Sequence, residues 1–152
     1  MTNKEELNDF FVSCFNQILR VEESELESIA NSKMTMKEIH FIEAVFKTKE
    51  KGENYSTTIA NRLNVTLGTL TTNFMRLERK GCLTKRRCNH DKRVFYIEPT
   101  PLAEFINKKH QEFHNKMIDD VLEAIPVKQA DCLVGALKAL NKFFSTYKLK
   151  NR

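Results

Sequence analysis

The sequence predicts a mainly α-helical protein in which a winged helix-turn-helix, with one β-hairpin as its wing, lies between N- and C-terminal helices. Three observations lead to this fold class. Apolar residues recur at three- and four-residue steps through most of the chain, as on amphipathic helices. Two β-prone runs, CLTKRR and RVFYIEP, flank the polar turn CNHDK, as in a hairpin. An excess of positive charge is confined to one short segment.

The length and composition are those of a small globular protein. The 152 residues suit one domain, or one domain with an oligomerisation element, and 41% of them are apolar. The chain has no run of 18 apolar residues, so no membrane span is expected. The N-terminus MTNKEELNDFF is unlike a secretory signal. The four cysteines, at positions 14, 82, 88 and 132, form no CxxC pair. We therefore expect reduced thiols and a bacterial cytoplasmic protein associated with the nucleoid.

The positive charge lies between Arg76 and Arg93. This segment holds eight Lys or Arg and two acids, a local charge of +6, whereas the whole chain carries +5. Residues 1–30 carry a local charge of −5. A concentrated basic segment favours a polyanionic partner, most commonly nucleic acid. The alternative is a solvated surface on which cations cluster by chance.

Capping residues mark where the predicted helices begin and end. The first helix covers about 4–29, and Thr35 with Glu38 predicts a capping box at the start of the second. Ser56 is the predicted cap of a short third helix, and Thr66 that of a fourth, which ends before Gly81. The last two helices are expected at about 102–124 and 128–148, interrupted by Pro126.

The fourth helix has two unlike faces. Apolar side chains fall on the inner one: Leu67, Leu70, Phe74 and Leu77. The opposite face holds short hydrogen-bonding groups and one guanidinium: Thr69, Thr72, Asn73 and Arg76, with Gly68 and Thr71 beside them. Small polar groups allow a helix to approach base edges in the major groove, and threonine methyls can contact the thymine methyl. An ordinary solvated face would instead favour Glu, Lys and Gln, the better helix formers.

The neighbouring segments complete a DNA-binding pattern. Ile59, Ala60 and Leu63 of STTIANRL are expected to pack against Leu70 and Phe74, which makes a helix-turn-helix. The hairpin that follows is the wing, with Lys85 and Arg86 on its first strand, and a basic β-ribbon can place a cation in the minor groove. Asp91 is expected to pair with a nearby arginine and to stabilise the wing. The predicted DNA-binding residues are Thr66, Gly68, Thr69, Thr71, Thr72, Asn73, Arg76, Arg87, His90, Lys92 and Arg93.

The segment VTLGTLTTNFMRLERKGCLTKRRCNHDKRVFYIEPT resembles the DNA-binding core of the multiple-antibiotic-resistance regulator (MarR) family. The threonine-rich helix, the LERKG that closes it, and Asp91-x-Arg93 in the wing carry the resemblance, which extends over essentially the whole chain. VTLGTLTT, LERKG and HQEFHNKM are most similar to repressors of bacterial fatty-acid synthesis genes.

The terminal helices have more apolar surface than one winged helix can cover. Aromatic residues are concentrated near the two chain ends, and left exposed they would form a large sticky patch. A two-fold homodimer removes that problem, and the resemblance implies the same. We therefore expect residues 1–34 and 100–152 to form a helical dimerisation region and residues 35–99 to form the DNA-binding lobe. Two recognition helices would reach successive major grooves, roughly 34 Å apart, on a pseudo-palindromic operator.

Two effectors are candidates. The resemblance to fatty-acid repressors implies a long acyl chain, delivered on acyl carrier protein, as co-repressor. The alternative is zinc, since His110 and His114 stand at i, i+4 on one helix and His40 and Glu22 (or Glu23) lie on others. Hydrogen-bonded histidines without a metal are the simpler interpretation, so no metal or cofactor is expected to be required.

An enzyme is not expected. The chain has only four glycines, no phosphate-binding glycine loop, and no GxSxG or HExxH motif. His90-Asp91 lies at the tip of the wing, where exposure to water prevents the tuning of a catalytic pKa. The remaining rival is an adaptor that binds another protein, rather than DNA, through the basic lobe.

Overall fold

The computed structural model describes residues 3–30 and 33–150. Over those residues the fold is mainly helical with one two-stranded antiparallel hairpin, as the sequence predicts. The elements are α1 (Lys4–Ala30), α2 (Met36–Lys49), α3 (Ser56–Leu63), α4 (Leu67–Arg79), β1 (Leu83–Arg87), β2 (Phe95–Pro99), α5 (Pro101–Ala124) and α6 (Val127–Lys150). No helix in the described ranges is long and apolar enough to cross a membrane.

The chain divides into two compact units, Met1–Gln111 and Glu112–Arg152. The first unit contains α1 to β2 and the beginning of α5. The second contains the rest of α5 and α6. The predicted division into dimerisation and DNA-binding regions concerns what each part does, and it stays a prediction.

Three local signals for helix ends are confirmed. The Thr35 hydroxyl oxygen accepts a hydrogen bond from the Glu38 backbone N, and the Glu38 carboxylate accepts one from the Thr35 backbone N, which is a capping box. The Thr66 hydroxyl caps α4 by accepting from the Thr69 backbone N at 3.1 Å. Gly81 follows the end of α4 with φ +77°, a left-handed backbone conformation that favours a residue without Cβ.

Two predictions about single residues are wrong. Ser56 does not cap α3, because the cap position is Tyr55 and the Ser56 side chain makes no such bond. The buried Ser56 hydroxyl instead accepts from the Phe95 backbone N at 3.3 Å, across the fold. Leu67 was expected on the inner face of α4 but is 36% exposed, since it lies in the first helical turn, beyond the core.

The core of the first unit joins α2, α3, α4 and the hairpin. Ile59 and Ala60 of α3 are buried in the same cluster as Leu70 and Phe74 of α4, as the helix-turn-helix prediction requires, and Leu63 packs against that cluster. Further fully buried members come from α2 and the hairpin: Ile39, Phe41, Ile42, Val45, Leu83 and Ile97. Leu77 of α4, Cys82, and Ala103 of α5 are also fully buried in this cluster. The α4 helix, which is the second helix of the helix-turn-helix, is therefore held by apolar packing along its inner side.

Phe74→Ala is expected to lower the free energy of unfolding by about 3–5 kcal/mol, because it removes a buried ring from this core. Urea denaturation at one fixed protein concentration measures the change. Met75→Ala is the control, since Met75 is 53% exposed on the same helix and should change stability by less than about 0.5 kcal/mol. Equal losses from both variants would contradict the described packing.

Candidate nucleic-acid interface

The outward face of α4 is open to solvent along its length. Thr69, Thr72 and Arg76 are exposed, while Leu70, Phe74 and Leu77 on the other side are buried. The helix therefore presents short polar groups and one long cation, as the sequence predicts. A helix of this width with a low, polar surface fits the major groove of B-form DNA.

The hydroxyl groups of this face are bound to the helix itself. The Thr71 hydroxyl donates to the Leu67 carbonyl O at 2.9 Å, and the Thr72 hydroxyl donates to the Gly68 carbonyl O at 3.1 Å. The Thr66 and Thr69 hydroxyl oxygens lie 3.0 Å apart. These bonds explain how a helix tolerates so many threonines, since each hydroxyl that bonds a carbonyl is satisfied without a ligand.

The wing is an antiparallel ladder in register from Leu83↔Pro99 to Arg87↔Phe95. The segment before α3 extends this ladder. The Asn54 carbonyl O accepts from the Ile97 backbone N at 2.8 Å, and Asn54 Nδ2 donates to the Ile97 carbonyl O at 2.8 Å. An isolated bridge also joins Tyr55 to Tyr96. The inner strand of the wing is therefore hydrogen-bonded on both sides.

Ring contacts connect the wing to the recognition helix. The Phe74 ring of α4 lies against the Phe95 ring of β2, with centroids 5.1 Å apart. The Tyr55 and Tyr96 rings meet edge to face at 5.7 Å. Because α4 and β2 share this packing, the wing is attached directly to the helix whose outward face carries Thr69, Thr72 and Arg76.

The cations of the wing divide into two groups. The Arg86 guanidinium lies 4.3 Å from the centroid of the Tyr96 ring and 3.6 Å from the Glu98 carboxylate. Burial raises the pKa of Glu98, but hydrogen bonds and charge from Lys49, and then Asn54 and Arg86, lower it by more, so the pKa lies below its usual value. Arg86 therefore has partners within the protein, and its guanidinium helps to hold the base of the wing.

The second group faces solvent. Arg76, Arg87, His90 and Lys92 are exposed, and within the described ranges they make no hydrogen bond or ion pair through their side chains. Arg93 is also exposed, at 88% for its side chain. These side chains are available to an external anion, which is the arrangement expected of residues that contact phosphates.

Asp91 organises the tip of the wing. Its Oδ1 accepts from the Arg93 backbone N at 2.9 Å and from Arg93 Nε at 3.4 Å. The backbone hydrogen bond is the main reason that the pKa of Asp91 lies below its usual value, and the side chain of Arg93 adds to it. The expected pairing with an arginine is confirmed, and its effect on the wing stays a prediction.

The structure brings the predicted DNA-binding residues onto the α4 face and the wing. The exposed ones are Thr66, Gly68, Thr69, Thr72, Arg76, Arg87, His90, Lys92 and Arg93. Thr71 and Asn73 are half-buried at the edge of the α4 face. Their individual contacts with DNA stay predictions.

The histidines proposed as zinc ligands are only partly brought together. His40 Nε2 lies 4.0 Å from Glu22 Oε1, and the His40 and His110 ring centroids are 6.1 Å apart. His114, one turn further along α5, falls in the second unit, where its ring lies against Phe113. The expected zinc set of Glu22, His40, His110 and His114 therefore stays a prediction.

The His110 ring instead bridges two acids that the sequence prediction missed. The ring is buried, and its Nδ1 contacts Glu25 of α1 while its Nε2 contacts Glu43 of α2. Burial lowers the pKa of His110, but hydrogen bonds to Glu43 and Glu25 raise it by more, so the net pKa lies above its usual value. Glu25 is itself fully buried. The sequence signal for this burial is that Glu25 lies on the apolar stripe of α1, four residues before Ile29.

An apolar cavity of about 530 Å³ lies at the end of α1 and the beginning of α5. Two lysines border it. The Lys80 Nζ is already paired with the Glu38 carboxylate at 2.7 Å, whereas the Lys33 side chain is exposed. The lining residues are Ile29, Lys33, Met34, Lys80, Cys82, Leu102, Phe105 and Ile106. The volume lies within the range of small-molecule sites.

Comparisons with known proteins agree with this geometry. The sequence profile of the transcriptional regulators SarA/Rot matches residues 26–117. The fold is similar to FabT of Streptococcus pneumoniae, solved in complex with DNA, with 27% identity, TM-score 0.84, and 95% of this chain and 99% of that one covered. A MarR protein from Peptoclostridium difficile has 16% identity and TM-score 0.78, covering 100% and 97% of the two chains. The DNA complex of MepR of S. aureus has 13% identity and TM-score 0.72, with 93% of this chain and 98% of that one covered. Curated proteins gave no match.

Asp91→Ala is expected to speed hydrogen exchange at the Arg93 amide and to weaken DNA binding by up to about fivefold, since the carboxylate orders the wing tip. Fluorescence anisotropy with a duplex measures the affinity. Glu53→Ala is the control, because it makes the same charge change at an exposed loop position and should leave affinity equal or slightly higher. A gain in affinity from Asp91→Ala would show that the carboxylate only repels DNA.

Proposed function

The chain belongs to the SarA/Rot family of transcriptional regulators, and we propose that it is a repressor that binds a pseudo-palindromic operator as a homodimer. The observation that carries the proposal is that the exposed polar face of α4 and the exposed cations of the wing lie on elements packed against each other. Its binding to DNA also fits the winged helix-turn-helix fold that it shares with DNA-binding regulators.

The two parts of this surface have different tasks. The groups on α4 are short enough to reach base edges, with Arg76 as the one long donor, so α4 reads sequence in the major groove. Arg87, Lys92 and Arg93 lie on a ribbon and bind phosphates or the minor groove. Both base reading and phosphate binding are compatible with the family. The rival adaptor, which binds another protein, would need neither of them.

The proposed homodimer is supported by uncovered apolar faces in both units. In the first unit, α1 exposes Phe10 at 70% and Phe15 at 58%. In the second, α6 exposes Leu137 at 52% and Phe143 at 54%. Surfaces of this kind are rare on monomeric proteins, and a second copy of the chain covers both without a further partner. A two-fold dimer places two recognition helices roughly 34 Å apart, which sets the spacing of the operator half-sites.

The proposed targets are fatty-acid synthesis genes, with a long acyl chain on acyl carrier protein as co-repressor. The likeness to FabT and the apolar cavity of the first unit support this assignment. The cavity wall is made of Ile29, Met34, Leu102, Phe105 and Ile106, which suit a hydrocarbon chain, and Lys33 stands at its edge, where an anionic head group would lie.

A zinc-responsive repressor is the second candidate, favoured by the buried Glu25–His110–Glu43 cluster. Two carboxylates meet one imidazole there, and His40 with Glu22 lies next to them. The His110 Nε2 and the Glu43 carboxylate are donors that fit zinc, while Glu25, on the opposite side of the ring, would orient the imidazole through Nδ1. A cation would also balance the excess of negative charge. Bound zinc would supply charge and fixed geometry that join α1, α2 and α5. A protonated His110 makes the same connection through hydrogen bonds alone.

Arg76→Ala is expected to reduce discrimination between operator and random duplex by roughly 5- to 150-fold, since a base contact contributes about 1–3 kcal/mol. Arg93→Ala should weaken binding to both duplexes and reduce the slope of log affinity against log salt by about 0.9. Competition gel shifts measure both effects.

Lys4→Ala serves as the charge-matched control, because Lys4 is exposed at the start of α1, outside the proposed surface. A wild-type protein that shows no preference for any duplex and no dependence on salt would instead support an adaptor. Equal losses from Arg76→Ala and Arg93→Ala would contradict the division into reading and anchoring residues.

Native mass spectrometry of protein purified without added ligand is expected to show a dimer that carries a fatty-acid mass. A zinc mass that is lost in Glu43→Gln but kept in Glu6→Gln would favour the second candidate. Glu43 is used because it is partly exposed, and Glu6 is an exposed acid on α1, outside the candidate zinc ligands, that allows the same charge change. A monomer would contradict the homodimer.

A further inference from the structure

The Thr72 hydroxyl is turned back onto the backbone of α4. Its Oγ1 donates to the Gly68 carbonyl O at 3.1 Å, although the residue as a whole is exposed. A hydroxyl has one proton, so this oxygen has only lone pairs left for an external partner. The methyl group is then the part of the Thr72 side chain that stands away from the carbonyl and toward solvent.

This arrangement limits which base edges Thr72 can read. In the major groove guanine presents two acceptors and thymine presents the O4 acceptor, and a hydroxyl without an available proton donates to neither. The thymine 5-methyl group is the one apolar feature of the major-groove edges, and a threonine methyl can pack against it. Of the groups on this face, Arg76 retains donors for guanine.

Gly68 provides an independent observation at the same place. It lies one helical turn before Thr72, and its φ is not in the left-handed region. A Cβ added there would meet no atom within 4 Å, so internal packing does not require glycine either. Glycine is unfavourable inside a helix. Because glycine has no side chain, the helix surface beside Thr72 is unobstructed, and an external partner can approach the backbone closely there.

We infer that Thr72, with Gly68 beside it, selects thymine in each operator half-site by contact with the 5-methyl group. This inference rests on the proposed operator binding and assigns one base and one chemical group to one side chain. Thr71 makes the same hydrogen bond but is half-buried, so Thr72 is the residue placed for the contact.

The test begins with an operator selected by the wild-type dimer from random duplexes. Thymines are then replaced by uracil one symmetric pair at a time, which removes only the 5-methyl group. We expect one pair of positions to lose affinity, roughly fourfold for each half-site, the scale of one methyl group withdrawn from water.

Three variants assign that loss to Thr72. Thr72→Ser, which keeps the hydroxyl and lacks the methyl, should bind the thymine and uracil operators equally. Thr72→Val, which keeps the methyl and lacks the hydroxyl, should discriminate like the wild type. Gly68→Ala should raise the Tm, because its backbone is helical and its surroundings are open, and yet weaken operator binding.

Two outcomes would overturn the inference while leaving operator binding intact. One is a wild-type protein indifferent to uracil at every position. The other is a Thr72→Val variant that loses as much discrimination as Thr72→Ser, which would show that the hydroxyl oxygen reads an amino group instead. Failure of the wild type to select any sequence would overturn the proposed function together with this inference.

Discussion

The contact between the Phe74 and Phe95 rings is the interaction on which the rest of the site depends. It joins the inner side of α4 to the inner strand of the wing, with centroids 5.1 Å apart. Leu83 and Ile97 of the hairpin lie in the same core as Leu70 of α4, so the ring contact belongs to one continuous packing between helix and ribbon. Asn54 and Ser56 reinforce the same strand by hydrogen bonds to Ile97 and to the Phe95 amide. A fixed angle between helix and ribbon is what lets one surface fit a groove and its flanking phosphates together.

Local signals predicted the helices and the hairpin, and contacts between distant segments account for what was missed. Thr35, Thr66 and Gly81 act within a turn of their own positions, so sequence alone identifies them. Ser56 has the residue type of a cap, but its hydroxyl binds an amide 39 positions away. Glu25 and Glu43 meet His110 only because α1, α2 and α5 come together, and no periodicity shows that a carboxylate on an apolar stripe has a partner.

The charge distribution along the sequence located the basic segment. It did not show which of its cations have partners within the protein and which face solvent. Arg86 and Arg87 are adjacent on β1, yet Arg86 stacks on Tyr96 and pairs with Glu98 while Arg87 faces solvent. The strand register explains the partner of Arg86, because Arg86 stands directly opposite Tyr96, whereas Arg87 lies on the other face of the ladder. Asp91 shows the converse, since a negative residue in the basic segment hydrogen-bonds the backbone and the side chain of Arg93. The local charge of +6 therefore overstates the number of cations available to DNA.

Hydroxyl-radical footprinting of the wild-type dimer on its selected operator would show whether helix and wing bind DNA together. We expect two protected segments on one side of the duplex, with centres roughly 34 Å apart. Arg93→Ala should lose protection at the minor groove next to each segment and keep the rest, because wing and helix bind side by side. A single protected segment for each bound dimer, or a footprint unchanged by Arg93→Ala, would contradict the joint binding of helix and wing.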